Sequence, residues 1–318
     1  MEKNTPLISI VSPVYGAEKI VDLLVERIIK EVSKITENFE IILVEDGSPD
    51  NSWEAIERNC TKEKRVKGIK FSRNFGQHYA ITAGLENADG QWVIVMDCDL
   101  QDDPIYISQL FAKAKQGYDI VYTVKEKRKH SLFKNITAYW FNLFFNWLVD
   151  NKSRSSSKDI GSFSIISRKV VDAFKDYKDY RRHYLMALRW LGFESGYINV
   201  EHKERHEGKS SYNFKKLVNH AIDGITSQSD KLLRITIVLG FILSAISILA
   251  GIYIVIRSFI ASFQSGWASL AVLVLFTSGL VITSIGISAI YIGKIFEQTK
   301  QRPLFIVDKA LNMTDDIN

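Results

Sequence analysis

The sequence predicts an α/β open sheet of the doubly wound kind, followed by two helices of membrane-crossing length. Three observations carry the first part. Short apolar runs alternate with helical patterns through the first half of the chain. The runs are nearly continuous in apolar residues, as expected of strands covered on both faces. Polar clusters stand where the runs end, which is where ligands of such sheets bind.

In chain order, the strand candidates are Leu7–Val14, Phe39–Glu45, Val66–Phe71, Gln91–Asp97 and Ile120–Val124, with helical stretches Ile20–Ser33, Asn51–Cys60, Gln77–Asn87 and Ile105–Gln116 between them. The first strand ends in Ser12-Pro13-Val14-Tyr15, the second in Glu45-Asp46-Gly47-Ser48 and the fourth in Asp97-Cys98-Asp99. One such cluster is a loop. Three at successive strand ends outline a nucleotide pocket.

The chain then changes character. Ile235–Ile256 and Leu270–Ile292 contain no charged residue, although 24% of the 318 residues are charged. Each stretch is about 22 residues, roughly 33 Å of helix, against a hydrocarbon core of about 30 Å. Gly240, Gly251, Gly279 and Gly286 suit close helix contacts in a membrane better than a buried hairpin in a soluble core. Lys231 and Arg234 precede the first span, Lys294, Lys300 and Arg302 follow the second, and the connection carries only Arg257. Positive flanks lie on the cytoplasmic side, so both chain ends are expected in the cytoplasm and the connection outside. The N-terminus runs straight into a strand, and no signal peptide is expected. Cys60 and Cys98 make no disulfide framework and fit a reducing compartment.

A net charge of +5 is compatible with nucleic acid as a partner. The basic residues cluster instead at Lys125–Lys134, Arg181–Arg189 and Lys203–Lys216, near the predicted bilayer surface, so anionic lipid and phosphate are the expected partners and nucleic acid is not. Two neighbouring segments read as interface helices. In Asn213–Ser229 the residues Phe214, Leu217, Val218, Ala221, Ile222 and Ile225 share one face, and Leu132–Val149 is rich in aromatics. The alternative for both is an ordinary core helix.

Asp97 and Asp99 fall on the same side of an extended chain, whose side-chain period is two. Two such carboxylates suit a hard cation, Mg²⁺ or Mn²⁺, that bridges substrate phosphates and neutralises a departing diphosphate. A bare Asp-x-Asp is common; this one follows a buried strand and precedes Leu100-Gln101-Asp102-Asp103-Pro104. With a membrane anchor on the same chain, the pattern reads as an enzyme that moves a phosphate-activated group from a soluble donor to a lipid acceptor. The six histidines show no zinc-ligand spacing.

Ser12–Tyr15, Glu45-Asp46-Gly47-Ser48-Pro49-Asp50, Arg73-Asn74-Phe75-Gly76, Ala83-Gly84-Leu85 and Asp97–Asp102 together resemble the signature of glycosyltransferase family 2. Tyr291–Phe296 and Lys300–Leu304 resemble the ending of its polyprenyl-phosphate branch, so the likeness runs over nearly the whole chain in family order. The resemblance implies a GT-A (Rossmann-like) nucleotide-sugar domain over residues 1–212, interface helices at 132–149 and 213–230, and a transmembrane hairpin within 231–296 (spans 235–256 and 270–292). A cytoplasmic tail over 297–318 would complete a multi-pass protein of the bacterial inner membrane, with self-association left open.

The implied roles follow the motifs. Pro13, Tyr15, Glu45, Asp46 and Asp97 would hold the nucleotide, with Pro13 and Tyr15 bordering the base and Asp46 holding the uracil or guanine. Asp99, with Asp97, would hold Mg²⁺ or Mn²⁺, and Gln101 would sit beside the sugar. Asp159, Arg205, Ser210, Arg128 and Lys125 would serve the acceptor phosphate. The implied reaction is inverting transfer of a sugar, glucose first, from a UDP-sugar to undecaprenyl or another polyprenyl phosphate, giving a β-linked product; GDP-mannose or another nucleotide sugar is the alternative donor. Two rivals stand beside it. A processive or other-acceptor enzyme is disfavoured because Arg189-Trp190 has Met186 where the processive motif carries Gln. A non-catalytic nucleotide-sugar binder has no need of the acceptor-side set. The chain departs from the family in having Gly16 where Asn is usual, Glu45 where Asp is usual and Lys125 where Arg is frequent.

Overall fold

Parallel pairing organises the centre of the protein. In the computed structural model, which describes residues 5–125, 160–180, 182–200, 231–258 and 266–313, β1 (Ile8–Val14) lies between β2 (Phe39–Glu45) and β4 (Trp92–Val95), with β3 (Val66–Phe71) beyond β2. All seven residues of β1 and of β2 are buried. Successive side chains enter different cores: Ile41 and Leu43 belong to one apolar cluster, Ile42 and Val44 to the other. That two-sided burial is why these strands read as unbroken apolar runs. Helices α1 (Val21–Val32), α2 (Ser52–Lys62), α3 (Gln77–Glu86) and α4 (Ile107–Ala114) connect the strands. In α3 a Cβ on Gly84 would lie 2.2 Å from Val11 Cγ1, so the Ala-Gly-Leu motif is what lets this helix lie against β1.

The remaining strands make the sheet mixed rather than uniformly parallel. Its order is β7-β5-β6-β4-β1-β2-β3-β8, with β5 (Ile120–Lys125), β6 (Ile160–Ser167), β7 (Ser195–Val200) and β8 (Val307–Leu311). β6 runs antiparallel between β4 and β5, and β8 runs antiparallel to β3. Helices α5 (Arg168–Asp176) and α6 (Tyr184–Leu191) follow β6. This is the α/β architecture that the resemblance implies.

Two boundaries differ from the sequence reading. The fourth strand stops at Val95, because Asp97–Asp102 turns away with Leu100 at φ 56°. The fourth helix opens as a 3₁₀ turn, Pro104–Tyr106, where the Asp103 carboxylate accepts from Ile105 N at 3.1 Å. The segment read as a tail from residue 297 is also divided: residues 307–311 are an edge strand of the sheet, and residues 302–313 belong to the same unit as β1.

The second unit contains α7 (Lys231–Ser258, 28 residues) and α8 (Trp267–Thr299, 33 residues). Within α8, Phe276–Thr299 is long and apolar enough to cross a membrane, with 24 residues and a mean hydropathy of 1.7. Within α7, Leu233–Leu243 is a shorter apolar stretch. Among the described residues, length and composition thus single out one of the two expected spans. The expected interface helices at 132–149 and 213–230 lie outside the described residues.

Candidate active site

The strand order brings the three polar clusters together. β4, β1 and β2 are neighbours, and their pairing continues past the strand ends: Met96 N donates to Val11 O and Asp46 N to Val14 O, each at 3.0 Å. Pro13 is buried opposite Val44, while Tyr15 is 55% exposed where β1 ends. Gly16, the next residue, has φ 64°, and its N–H donates to Ser48 Oγ at 3.1 Å. Asn and Gly are the residues that enter this left-handed region most readily, so Gly16 keeps the turn that the family's Asn would make.

Glu45 and Asp46 are both buried, with different surroundings. The Glu45 Oε1 atom accepts from Ser48 N, while Oε2 is buried with no hydrogen-bond partner. Asp46 is engaged by the start of α3: Phe75 N donates to Oδ1 at 2.7 Å and Gly76 N to Oδ2 at 2.9 Å. The positive end of the helix favours a carboxylate there. Burial nonetheless holds the Asp46 carboxyl above the usual carboxylate range, against these two bonds. Asn74 Nδ2 closes the arrangement by donating to Asp46 O at 2.9 Å.

Asp97 stands at the end of the β4 side. Gln77 Nε2 donates to its Oδ1 at 2.7 Å and Ser162 Oγ to its Oδ2 at 3.0 Å. Burial and then the neighbouring Asp102 push its pKa up to about 6, with Asp99 adding to the effect and the Ser162 and Gln77 bonds opposing it. Asp99 Oδ1 accepts from Gln101 N at 3.1 Å, which fixes the turn and holds Gln101 two residues away. Among the described residues no three acidic, histidine or cysteine side chains group as metal ligands. Two carboxylates under mutual repulsion are nonetheless a donor set of the kind that Mg²⁺ or Mn²⁺ takes when a substrate diphosphate completes its shell. Cys98 lies between them, and burial pushes its thiol up to about 12.

Of the residues singled out from sequence, Pro13, Tyr15, Glu45, Asp46, Asp97, Asp99 and Gln101 thus lie at the carboxyl ends of adjacent strands. Lys125 ends β5, and its side chain lies outside the described residues, as do Arg128, Asp159, Arg205 and Ser210. Gln77 and Ser162 were not picked out from sequence. Ser162 lies three residues after Asp159, so its signal was at hand; Gln77 carries none beyond following Arg73–Gly76.

A family model described as glycosyl transferase family 2 matches residues 9–174. A Bacillus subtilis protein named as an uncharacterized glycosyltransferase, YkcC, is 36% identical over 304 residues, covering 95% of this chain and 93% of its own. An undecaprenyl-phosphate 4-deoxy-4-formamido-L-arabinose transferase of Proteus mirabilis is 30% identical over 316 residues, covering 96% and 94%. Among solved structures, S. aureus TarS 1–349 in complex with UDP-GlcNAc is similar over 70% of this chain and 66% of its own, at 16% identity and a TM-score of 0.47.

Proposed function

The chain belongs to glycosyl transferase family 2, and on that premise we propose that it transfers a sugar, glucose first, from a UDP-sugar to undecaprenyl or another polyprenyl phosphate. Glycosyl transfer itself comes with the family. The lipid acceptor is supported by relatives named as undecaprenyl-phosphate sugar transferases at about this level of identity along the whole chain.

The observation that carries the reading is the pair of unlike carboxylate sites at neighbouring strand ends. One Glu45 carboxylate oxygen is buried without a hydrogen-bond partner, and we propose that it accepts an N–H from the base beside Asp46 once donor binding opens it. Uracil and guanine present a ring N–H at that edge, whereas cytosine and adenine present an acceptor, so the site favours the first two. At Asp97 and Asp99, crowded negative charge calls for a cation shared with the donor diphosphate. A divalent ion held there would neutralise charge on the departing nucleoside diphosphate.

The acceptor phosphate monoester, with a second pKa near 6, is largely dianionic at neutral pH and needs no strong general base. Its oxygen forms the new bond to the anomeric carbon as the bond to the donor's β-phosphate oxygen breaks, and the electron pair leaves with UDP. A single displacement inverts that carbon and gives a β-linked product from an α-linked donor. The chain's task is positioning: Gln77 and Ser162 fix Asp97, Gln101 stands by the sugar, and Asp159, Arg128, Lys125, Arg205 and Ser210 are proposed to receive the lipid phosphate.

We place the catalytic domain and both termini in the cytoplasm, with two crossings between them. β8 follows α8 yet pairs with β3, and strands of one sheet share one side of a membrane. This pairing supports an even number of crossings between β7 and β8, and so a hairpin over a single span. Incubating the purified protein with undecaprenyl phosphate and a panel of labelled nucleotide sugars tests the function. Label in lipid from UDP-glucose upholds the reading; label only from another donor replaces the sugar or nucleotide; label in a polymer, or none, removes it. Cysteines placed at Ser265 and at Asp315 test the topology: an impermeant reagent should reach the first and not the second.

A further inference from the structure

We propose that the strand after the last long helix is a working part of the donor pocket, with Phe305 a positioning residue for the loop Arg73–Gly76. The proposal rests on reading the β1–β2–β4 ends as the donor site. β8 pairs with β3 as far as Phe71 opposite Val307, with a register shift between Lys70 and Phe71. Past the shift, Ser72 N donates to Ile306 O at 3.0 Å, so the pairing reaches the point where β3 leaves the sheet. There Phe305 stacks on Phe71, ring centroids 5.0 Å apart and planes 16° apart. Phe75 meets the same Phe71 ring edge-on at 5.6 Å.

The next links enter the pocket. The N–H groups of Phe75 and Gly76 hold the Asp46 carboxylate, Asn74 holds the Asp46 carbonyl, and Gln77 holds Asp97. Two ring contacts therefore join the tail to the loop that holds Asp46 and leads directly into Gln77, which holds Asp97. Phe71 is almost completely buried, so the ring between the two contacts has no room to shift.

A strand that only covered the sheet edge would not need this arrangement. The middle of β8, Asp308–Ala310, is exposed, and its packed parts are its two ends. At the end away from the site, Asn312 Nδ2 donates to Cys60 O and to Val66 O, both at 2.7 Å. At the end near the site, the aromatic stack presses on the base of the loop. Holding the loop before the donor arrives removes ordering that binding would otherwise have to supply.

The test uses the full-length protein in detergent and reads backbone amide exchange over residues 72–77, with residues 88–91 at the opposite end of the sheet as control. In Phe305→Ala, exchange at Phe75 and Gly76 should be about tenfold faster, with Asp89 and Gly90 unchanged. Phe305→Tyr, which keeps the ring, should restore the wild-type rate, and Phe305→Leu should fall between. UDP affinity should drop about fivefold in Phe305→Ala, while the KM for undecaprenyl phosphate stays within about twofold. Unchanged exchange over 72–77, or acceleration that spreads equally to 88–91, overturns the proposal; if the alanine variant does not fold, the leucine variant decides on the same criteria. A wild-type protein that fails to bind UDP refutes the donor reading instead, and the exchange data still decide the role of Phe305.

Discussion

The two ends of the same sheet treat buried acids in opposite ways. At the amino ends of the strands, Glu40 is nearly completely buried and fully served: Ser9 Oγ and Asp89 N donate to Oε1, and Lys67 Nζ lies 2.6 Å from Oε2. Arg168 adds bonds from its guanidinium to the carbonyls of Ala88 and Gly90. At the carboxyl ends, Glu45 keeps an oxygen without a partner and Asp97 is pushed up to about 6 by burial and Asp102. Burying a charge is costly unless it is paired and hydrogen-bonded. The amino end meets that cost with protein groups. The carboxyl end leaves it partly unmet, which fits the proposed use of these groups to hold a base and a cation.

Breaking each end should therefore have a different consequence. The largest effect is expected for Asp97→Asn, which keeps bonding partners for Gln77 and Ser162 but removes the charge. Transfer should fall by about a thousandfold, the scale of losing a central electrostatic contact in a transition state, while thermal stability stays level or rises. Steady-state kinetics and a melting curve on the same preparation check it.

Next comes Glu40→Ala at the other end, which leaves Lys67 with only Asp89 at 3.7 Å and takes the acceptor from the Ser9 hydroxyl and Asp89 N. A stability loss of about 3–5 kcal/mol is expected, the cost of breaking a buried pair by removing one partner. Chemical denaturation measures it, and activity per folded molecule should be unaltered.

The contrast also explains how much could be read in advance. β1 to β5 and α1 to α4 were legible because two-sided burial writes long apolar runs into the sequence. β6 and β8 were not. Gly161, Ser162 and Ser164 interrupt the first, and Val307-Asp308-Lys309-Ala310-Leu311 is a half-exposed edge with two charges, whose partner strand lies far back in the sequence. Asp97 and Asp99 were legible from spacing. The use of Asp46 as an anchor for the start of α3 was not, because it depends on a loop about thirty residues away.

Smaller effects sharpen the comparison. Glu45→Gln keeps an acceptor for Ser48 N and removes the buried charge. Nucleotide affinity should weaken about tenfold, as when one charge-assisted bond is lost, with stability equal or higher; calorimetric titration with UDP reads the first and melting the second. The smallest effect concerns Asp46, whose native pKa lies above the ordinary value of about 3.9. A raised carboxyl pKa contributes stability that is full below the ordinary value and is lost as pH rises through the native one. Relative to Asp46→Asn, the wild type should therefore lose ground as pH rises from about 4 towards neutrality. Parallel denaturation series at several pH values would reveal a flat difference if Asp46 were not strained by burial.

The most direct test sets the two ends against each other in one experiment: transfer from UDP-glucose to undecaprenyl phosphate, per folded molecule, by wild type, Asp99→Ala and Glu40→Gln. Asp99→Ala is expected to be folded and inactive, and Glu40→Gln to be less stable yet transfer at close to the wild-type rate. An active Asp99→Ala that is also indifferent to EDTA, or a Glu40→Gln that is stable but inactive, would contradict the division of the sheet into a structural end and a catalytic end.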